Sequence, residues 1–348
     1  MSASPVPPLQ HAIRRLASGA SLTAEEAREA FDAVMSGEGT VAQLAALLIG
    51  LRVKGETPEE VAGAAGALRG AMVHLPADRP DDLVDTCGTG GGAVNTFNIS
   101  TAAALLAAGA GVRIAKHGNR SFTSQCGSAD VLEALGVRID VSPTVMERAL
   151  REAGVVFMFA PLMHPAMRHV GPVRRELGIP TVMNIVGPLA NPASAGRQVV
   201  GVADARRVPL IAGALQSLGT RHALVVHGEP GMDEISPLGP TQVIEIRDGS
   251  SREWTIEPQR YGFPEGRADE LAGGPPAENA AAVLAVLEGR APQTARAAVL
   301  LNAAAALYVS SLSEGDFDAS LARVRTALDE GAGLAALERL RRAFALGS

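Results

Sequence analysis

The chain has few aromatic residues and no concentration of positive charge. Aromatic side chains make up 3% of its 348 residues although 47% are apolar, so a core must be built mostly from Ala, Val and Leu at close packing. The formal net charge is −6 and no basic block occurs, which argues against an electrostatic grip on a nucleic-acid backbone. We therefore expect no nucleic-acid partner.

Cysteines and long apolar runs are also scarce. Cys87 and Cys126 are too few for a disulfide framework, and both lie in glycine-rich surroundings typical of loops, which favours a reducing, cytoplasmic setting. The first charged residues, Arg14 and Arg15, are not followed by the apolar core of a signal peptide. No apolar stretch approaches the ~18 residues that a membrane span requires, so we expect no membrane partner.

The length of the chain suits two domains, and its first part is helical in pattern. Residues 9–73 contain apolar positions at helical spacing and three successive start signals. Capping-box spacing, in which a threonine precedes Glu or Gln by three residues, occurs in the pairs Thr23 and Glu26, Thr40 and Gln43, and Thr57 and Glu60. This segment predicts a small all-helical domain.

After residues 76–82, a Pro- and Asp-rich stretch typical of a linker, the pattern alternates. It predicts strands at residues 83–85, 112–115, 155–160, 199–203, 223–226 and 241–247. It predicts helices at residues 98–109, 129–135 and 165–177, and an Ala- and Leu-rich helical region from residue 278 to the end. Such alternation indicates a parallel or mixed sheet flanked by helices.

A glycine-rich loop is the most informative segment. Residues 85–92 read DTCGTGGG, and residues 98–101, NIST, then open an alanine-rich helix. Glycines let backbone N–H groups approach an anion closely, and a helix N-terminus adds unpaired donors and a favourable dipole. The loop fits neither a Walker motif, because no Gly-Lys-Ser/Thr follows, nor the spaced dinucleotide fingerprint. Taken alone, it leaves open a plain glycine turn.

A second polar loop, residues 116–128 (KHGNRSFTSQCGS), begins where the next predicted strand ends. In a parallel sheet it would share one rim with the glycine loop. Its two cations, hydroxyls and glycines suit a pyrophosphate and a sugar better than an apolar ligand. For His117 alone, an ordinary hydrogen-bonded histidine is the alternative.

Together these loops resemble those of the anthranilate phosphoribosyltransferase family. Further segments of the same likeness, in the family's order, are HPAM at 164–167, PVRRELG at 172–178, residues 184–192 around GPL, HG at 227–228 and DEIS at 233–236. The resemblance covers nearly the whole chain. It implies an α/β fold of the nucleoside phosphorylase/phosphoribosyltransferase kind, with a small all-helical domain and a larger α/β domain whose central, mostly parallel mixed sheet is flanked by helices.

The resemblance also implies that the two domains have different functions. Residues 1–76, with about 165–190, would form the helical domain and carry dimerisation and the anthranilate side. Residues 77–164 and 191–348 would form the large domain and carry the phosphoribosyl pyrophosphate and magnesium side. A homodimer is the implied assembly, with the active site between the two domains.

The implied reaction is the transfer of phosphoribose from phosphoribosyl pyrophosphate to the amine of anthranilate, with inversion, in tryptophan biosynthesis. Such a pentosyltransferase needs no protein nucleophile, because an arylamine is already unprotonated near neutral pH and can be used by positioning alone. Two rivals are a nucleoside phosphorylase of the same general fold and a catalytically silent relative that binds nucleic acid. Arg174 and the HPAM segment argue against the nucleoside phosphorylase. The intact loops and the negative net charge argue against the nucleic-acid-binding relative.

Site residues follow from the resemblance, position by position. Contacts to phosphoribosyl pyrophosphate are implied for Gly88, Gly91, Gly92, Thr96, Asn98, Ile99, Ser100, Thr101, Lys116, His117, Gly118, Asn119, Arg120, Ser121, Thr123, Ser124 and Ser128. Catalytic roles are implied for Lys116, Arg174 and Asn119, and contacts to anthranilate for Gly88, Asn119 and Arg174. The guanidinium of Arg174 suits a carboxylate, which it can bind through two parallel hydrogen bonds.

Magnesium is the implied cofactor, held by Ser100, Asp233 and Glu234, whose hard oxygen ligands suit this ion. Taken alone, the acidic pair would be a solvated turn. One position departs from the family pattern, because Gly92 stands where the first loop usually carries an aspartate. We expect this to alter the handling of magnesium or phosphoribosyl pyrophosphate rather than to abolish activity.

Overall fold

A computed structural model describes residues 6–121, 125–313 and 315–345. The helices are α1 (Pro8–Ala17), α2 (Ala24–Met35), α3 (Val41–Lys54), α4 (Pro58–Gly70), α5 (Ile99–Gly109), α6 (Ser128–Ala134), α7 (Pro143–Ala153), α8 (Ala160–Met163), α9 (Gly171–Leu177), α10 (Met183–Val186), α11 (Val208–Ser217), α12 (Pro276–Leu287), α13 (Gln293–Val309), α14 (Phe317–Asp329) and α15 (Ala332–Ala345). The strands are β1 (Val84–Gly88), β2 (Ile114–Gly118), β3 (Val155–Phe159), β4 (Arg197–Gly201), β5 (His222–Gly228), β6 (Thr241–Arg247) and β7 (Ser250–Ile256).

The chain divides into a helical unit and an α/β unit. The helical unit contains the residues up to Val73 together with Pro161–Pro192 and Pro209–Gly219. The α/β unit contains His74–Ala160, Ala193–Val208 and the residues from Thr220 onward. The bounds implied by the resemblance had placed Pro209–Gly219 in the large domain, and the sequence pattern had not predicted the helix α11 found there. The functional division between the domains stays a prediction.

The helical unit starts its helices as the capping boxes predicted. Thr23, Thr40 and Thr57 each accept a hydrogen bond from the backbone N–H three residues later, and the Glu or Gln at that position accepts one from the threonine N–H. Each pair satisfies two backbone donors that the first helical turn leaves free. The side chain of Glu60 is buried and also accepts bonds from Leu22 N and Lys54 Nζ, which joins α4 to the segments before α2 and after α3.

The α/β unit is built on one seven-stranded sheet in the order β3-β2-β1-β4-β5-β6-β7. The first five strands in this order are parallel, and β6 and β7 extend the sheet as an antiparallel hairpin. This confirms the predicted α/β class with a mixed, mostly parallel sheet. The carboxyl ends of β1, β2, β4 and β5 consequently lie along one edge, where the loops that follow these strands meet.

Small residues make the interior of this unit, as the composition predicted. In α13 every residue from Ala297 to Val309 is buried, and α5 is buried over nearly all its length. These helices contact each other, and α5 also contacts α15, where a side chain on Gly109 would collide with the backbone of Ala332. Within the described ranges, no helix combines the length and apolar character needed to cross a lipid bilayer.

Two sequence expectations need correction. The single helix predicted at residues 165–177 is divided into a 3-10 turn, Pro165–His169, and α9, because Pro172 lacks an N–H and can stand only in the first turn of a new helix. The pattern also missed β7, α7 and α11. The residues of β7 are mostly exposed and polar, so this edge strand lacks the apolar alternation that identifies a strand.

The hairpin is fixed to the sheet by a buried carboxylate. Glu245 on β6 accepts hydrogen bonds from His222 Nε2, Arg252 Nε, Trp254 Nε1 and Tyr308 OH at 2.9–3.1 Å. Burial by itself raises the pKa of Glu245, but the bonds from His222 and Arg252 outweigh it and lower the pKa from 4.5 to about 2. A buried charge with all its donors in place connects three strands and α13.

We expect Glu245→Gln to destabilise the protein at pH 7 by roughly 1.5–3 kcal/mol, the range for hydrogen bonds to a charged group, because the new amide N–H₂ would face donors. Since the folded pKa lies below the unfolded value, this contribution is complete above about pH 4.5 and disappears as the pH falls toward 2. Thermal midpoints measured across this range should therefore converge for the variant and the wild type. Asp269→Asn, which breaks only an exposed pair with Arg267, is the control and should leave the midpoint nearly unchanged. Equal midpoints for Glu245→Gln and wild type at pH 7 would contradict this account.

Candidate active site

Three loops of the α/β unit meet at the carboxyl edge of its sheet. The glycine loop follows β1, the second polar loop follows β2, and the acidic segment 229–236 follows β5. Strands β1 and β2 are parallel neighbours, with Val84 opposite Ile114, so the first two loops lie side by side as the sequence predicted. The structure therefore brings the glycine loop, the cationic loop and the acidic pair to one place.

The glycine loop turns through left-handed backbone before it reaches α5. Gly90 and Gly91 have φ values of 70° and 80°, a conformation that side chains with a Cβ disfavour. Gly88 ends β1, and a Cβ there would lie 2.6 Å from Asp233 Oδ2. Gly92 leads out of the turn, and a Cβ there would lie 3.2 Å from Asp233 Oδ1. The loop is thus shaped to bring its backbone against the acidic segment.

The start of α5 supplies the remaining predicted residues of the first segment. Asn98 stands at the N-cap, Ile99 is buried with its N–H donated to Phe97 O, and Thr96 is partly exposed ahead of them. Ser100 is partly buried on the first turn. Thr101 is 1% exposed, and its hydroxyl has no hydrogen-bond partner among the described residues.

Lys116 is a buried cation placed between β1 and α5. Its residue exposure is 4%, and its ammonium group donates to Thr86 O, to Thr86 Oγ1 at 3.4 Å and to Ser100 Oγ at 3.3 Å. The charge of Lys116 in turn acts on nearby Glu234, whose pKa it lowers against the effect of burial. A desolvated ammonium in this position is suited to an anionic ligand at the loop.

The second loop is closed at its base by hydrogen bonds among predicted residues. Asn119 O accepts bonds from Ser128 Oγ at 3.3 Å and Ala129 N at 3.2 Å. His117 donates its N–H to Asp85 Oδ1, and a side chain on Gly118 would collide with Ser128 Oγ. Two further predicted contacts, Thr123 and Ser124, lie outside the described residues.

Arg120 and Ser121 are tied to α6. The guanidinium of Arg120 donates to Asp130 and Glu133 and lies over the Phe159 ring. Ser121 donates its N–H to Asp130 Oδ2 at 3.2 Å. Both ion pairs use Nη1 of Arg120, so its side chain holds the loop to α6 and leaves the rest of the half-exposed guanidinium for the predicted ligand contact.

The acidic pair lies against backbone donors of the first loop. Asp233 Oδ2 accepts the Gly90 N–H at 2.8 Å, and the backbone N–H of Ser100, at the start of α5, is near enough to the Glu234 carboxylate to favour its charged form and lower its pKa. These two donors are among those expected to bind an anion. Burial raises the pKa of Asp233, and burial together with the charge of Asp233 raises the pKa of Glu234 from 4.5 to about 8. Two adjacent, partly buried carboxylates with raised pKa values create a local demand for positive charge.

The donor set fits magnesium. Asp233, Glu234 and the Ser100 hydroxyl are hard oxygen donors, Ser100 and Glu234 line one cavity, and the raised pKa values of both carboxylates indicate a demand for a cation. Within the described part of the chain, no group of three or more His, Cys, Asp or Glu residues could hold a metal by itself. Mg²⁺ is commonly bound by one or two carboxylates and completed by water and substrate phosphates, which suits so sparse a set.

Arg174 lies in the other unit, on α9. It is partly buried, and burial lowers the pKa of its guanidinium. None of the carboxylates in the described ranges pairs with it, whereas Arg120, Arg206 and Arg267 all have such partners. An arginine that is desolvated yet unpaired is suited to an acidic ligand.

Sequence reasoning missed two residues that position the acidic pair. Gly201 ends β4, and a Cβ there would lie 1.7 Å from Asp233 O, so only glycine allows the acidic segment to lie on this strand. Asn302 on α13 clamps the residue after Glu234, accepting Ile235 N–H at 3.0 Å and donating to Ile235 O at 2.9 Å. One sequence feature could have identified Asn302: it is a single polar residue in an alanine-rich helix whose other positions in this stretch are apolar.

Comparisons with known families agree with this geometry. Residues 80–334 match the model of the glycosyl transferase family, a/b domain, and residues 10–72 match that of the glycosyl transferase family, helical bundle domain. The two matches follow the change from helical to α/β pattern that the sequence predicted.

Individual proteins give the same result over nearly the whole chain. An anthranilate phosphoribosyltransferase from Thermomicrobium roseum is 50% identical over 337 residues, covering 94% of this chain and 95% of the relative. The crystal structure of the Thermus thermophilus anthranilate phosphoribosyltransferase has a TM-score of 0.90 at 41% identity, covering 96% of this chain and 99% of that one. The Saccharomyces cerevisiae enzyme in complex with PRPP and Mg has a TM-score of 0.87 at 27% identity, covering 97% and 98%. With its two domains, its loops and these relatives in agreement, the chain belongs to the anthranilate phosphoribosyltransferase family.

Proposed function

We propose that this chain transfers the phosphoribosyl group of phosphoribosyl pyrophosphate to the amine of anthranilate, releasing pyrophosphate. The observation that carries the proposal is the meeting of Lys116, the Gly90 and Ser100 N–H groups and the acidic pair at one edge of the sheet. The relatives that match this chain over nearly its full length bear the name of this activity. The product would be N-(5-phosphoribosyl)anthranilate, an intermediate of tryptophan biosynthesis.

The leaving pyrophosphate would be bound by the first loop and Lys116. Gly88, Gly91 and the first turn of α5 present backbone N–H groups, and Ser100 and Thr101 add hydroxyls, of which the Thr101 hydroxyl lacks a partner among the described residues. Charge develops on pyrophosphate as the C–O bond breaks, so donors fixed in advance stabilise the transition state more than the ground state. Lys116, already desolvated, adds a full positive charge at the same place.

Magnesium is part of the proposal, with Asp233, Glu234 and Ser100 as its protein ligands. When bound, the ion would neutralise pyrophosphate oxygens and complete its coordination with them. The chain contributes the placement of these ligands, since Gly201 and Asn302 fix the backbone on either side of the acidic pair.

Anthranilate would be bound through its carboxylate by Arg174, with Asn119 and Gly88 completing the acceptor site. The unpaired guanidinium supports this, and so does Asn119, whose Oδ1 accepts the Arg120 N–H and whose Nδ2 makes no hydrogen bond within the described residues. The amine forms the new C–N bond to the anomeric carbon and then loses a proton to solvent. No side chain needs to act as a base before attack, because an arylamine carries a free electron pair near neutral pH.

The proposal extends to assembly and compartment. A homodimer through the amino-terminal helices is supported by two large apolar side chains exposed on one helix, Val41 at 61% and Val53 at 81% exposure. A cytoplasmic setting is supported by Cys87 and Cys126, neither of which forms a disulfide within the described residues.

The proposal is tested by mixing the protein with anthranilate, phosphoribosyl pyrophosphate and Mg²⁺ and following the loss of anthranilate fluorescence. We expect turnover that stops when the metal is removed with a chelator and returns when Mg²⁺ is restored. A parallel reaction with a nucleoside and inorganic phosphate should give no free base. Phosphorolysis in that reaction, with no loss of anthranilate, would replace the proposal with a nucleoside phosphorylase.

Arg174→Lys should raise the KM for anthranilate at least tenfold, a loss of about 1.4 kcal/mol, because lysine cannot form two parallel hydrogen bonds to a carboxylate. The KM for phosphoribosyl pyrophosphate should stay close to that of the wild type. Arg175→Lys is the matched control, since Arg175 is the exposed neighbour on the same helix. Equal kinetic constants for the two variants would remove Arg174 from the acceptor site.

Gly92→Asp should shift the dependence of the rate on Mg²⁺ and on phosphoribosyl pyrophosphate. The new carboxylate would arise beside Asp233, whose Oδ1 lies 3.2 Å from the Cβ position, and should lower the Mg²⁺ concentration needed for half-maximal rate. Gly92→Ala adds the Cβ without the charge and separates a steric effect from an electrostatic one. Superimposable Mg²⁺ curves for both variants and wild type would refute the role assigned to this position.

A further inference from the structure

The N-cap of α5 does not behave as its residue type predicts. Asparagine is among the strongest N-cap residues, because its side-chain oxygen accepts the N–H of the second or third helical residue. Asn98 occupies the N-cap of α5 but makes no such bond. The Ser100 N–H, the second of the helix, is therefore not capped by Asn98 and remains a donor that an anion could use.

The Asn98 amide is held elsewhere by a chain of hydrogen bonds. Its Nδ2 donates to Cys126 O at 3.1 Å, across to the second loop. Its Oδ1 accepts from Asn279 Nδ2 at 2.9 Å, and Asn279 Oδ1 accepts from Gly274 N at 2.7 Å. Asn279 lies on α12 and is 3% exposed, so none of these partners is exchanged readily for water.

The donor-to-acceptor direction of this series of hydrogen bonds is fixed at both ends. Gly274 N–H can only donate and Cys126 C=O can only accept, so each residue between them must accept on one side and donate on the other. A carboxamide does both, whereas a carboxylate only accepts. Asn279 therefore determines which side of the Asn98 amide carries the N–H₂ group and which loop it contacts.

We propose that Asn279 is a positioning residue for the phosphoribosyl pyrophosphate site, an inference that rests on the proposed function. By engaging Asn98 Oδ1 it keeps that oxygen away from the N-terminus of α5 and ties the first loop to the second. If Asn279 is lost, Asn98 Oδ1 is free to cap the helix and to compete with the ligand for the Ser100 N–H. Ser100 itself lines a cavity together with Thr86, Cys87 and Glu234, so the space into which the ligand would extend adjoins this residue.

The test compares Asn279→Ala and Asn279→Asp with the wild type. The first removes the donor, and the second keeps the size but sets a carboxylate oxygen against Asn98 Oδ1. Both should raise the KM for phosphoribosyl pyrophosphate, and the Kd of Mg²⁺-pyrophosphate measured by calorimetry, about five- to tenfold, as expected when an N-cap contact of ordinary strength competes with the ligand. The KM for anthranilate should change less than about twofold on the same scale.

Asn95→Ala is the matched control. Asn95 Nδ2 donates to Gly273 O at 2.8 Å, so it joins the first loop to the same segment but does not touch Asn98. We expect its pyrophosphate Kd to equal that of the wild type. Calorimetry also reports the number of competent sites, so partial unfolding of a variant lowers this number and leaves the Kd unchanged.

A Kd and KM in both Asn279 variants equal to those of the wild type would overturn the proposal, as would the same loss in Asn95→Ala. A reduced number of sites with unchanged Kd would also overturn it, by showing that Asn279 only stabilises the fold. Failure of the wild type to bind Mg²⁺-pyrophosphate and to transfer phosphoribose would instead defeat the proposed function.

Discussion

The parallel pairing of β1 with β2 on one side and β4 on the other is the constraint on which the site depends. Because these strands run in the same direction, the loops after them leave the sheet at one edge, and the loop after β5 joins them there. Lys116 on β2 reaches Thr86 on β1 only because the two strands are neighbours. A change in strand order would separate the ammonium group from the glycine loop even if both sequences were intact.

Part of the polar site is engaged by the chain itself. Asp233 accepts the Gly90 N–H, and Lys116 donates to oxygens of Thr86 and Ser100, whereas the Thr101 hydroxyl has no partner among the described residues. Ligand binding is therefore an exchange of partners, in which a cation held by the carboxylates would free these donors for phosphate oxygens. The energetic cost of leaving buried polar groups unpaired explains why such self-satisfaction is expected before substrate arrives.

The residues that shape the site are distributed far more widely than those that would touch substrate. Glycines at strand ends allow the acidic segment to lie against β1 and β4, and two buried asparagines, Asn279 and Asn302, hold one loop each from α12 and α13. Each asparagine amide offers both a donor and an acceptor, which a backbone segment needs if its N–H and C=O are both to be satisfied. The carboxyl-terminal helices thus serve as supports for the loops as well as a cover for the sheet.

The sequence by itself determined the helical start of the chain, the strand-and-helix alternation, and the positions of the glycine loop and the second polar loop. These are local signals: capping boxes, apolar periodicity, and glycines beside hydroxyls. The acidic pair has no such signal and was predicted only from the family resemblance. It could not give the roles of Gly201 and Asn302, the hairpin strand β7, the break before Pro172 or the engagement of Arg120 by Asp130 and Glu133. Those were decided by tertiary structure, because each depends on which distant backbone or charge comes within hydrogen-bonding distance, and residues such as 201 and 233 become neighbours only when the sheet has formed.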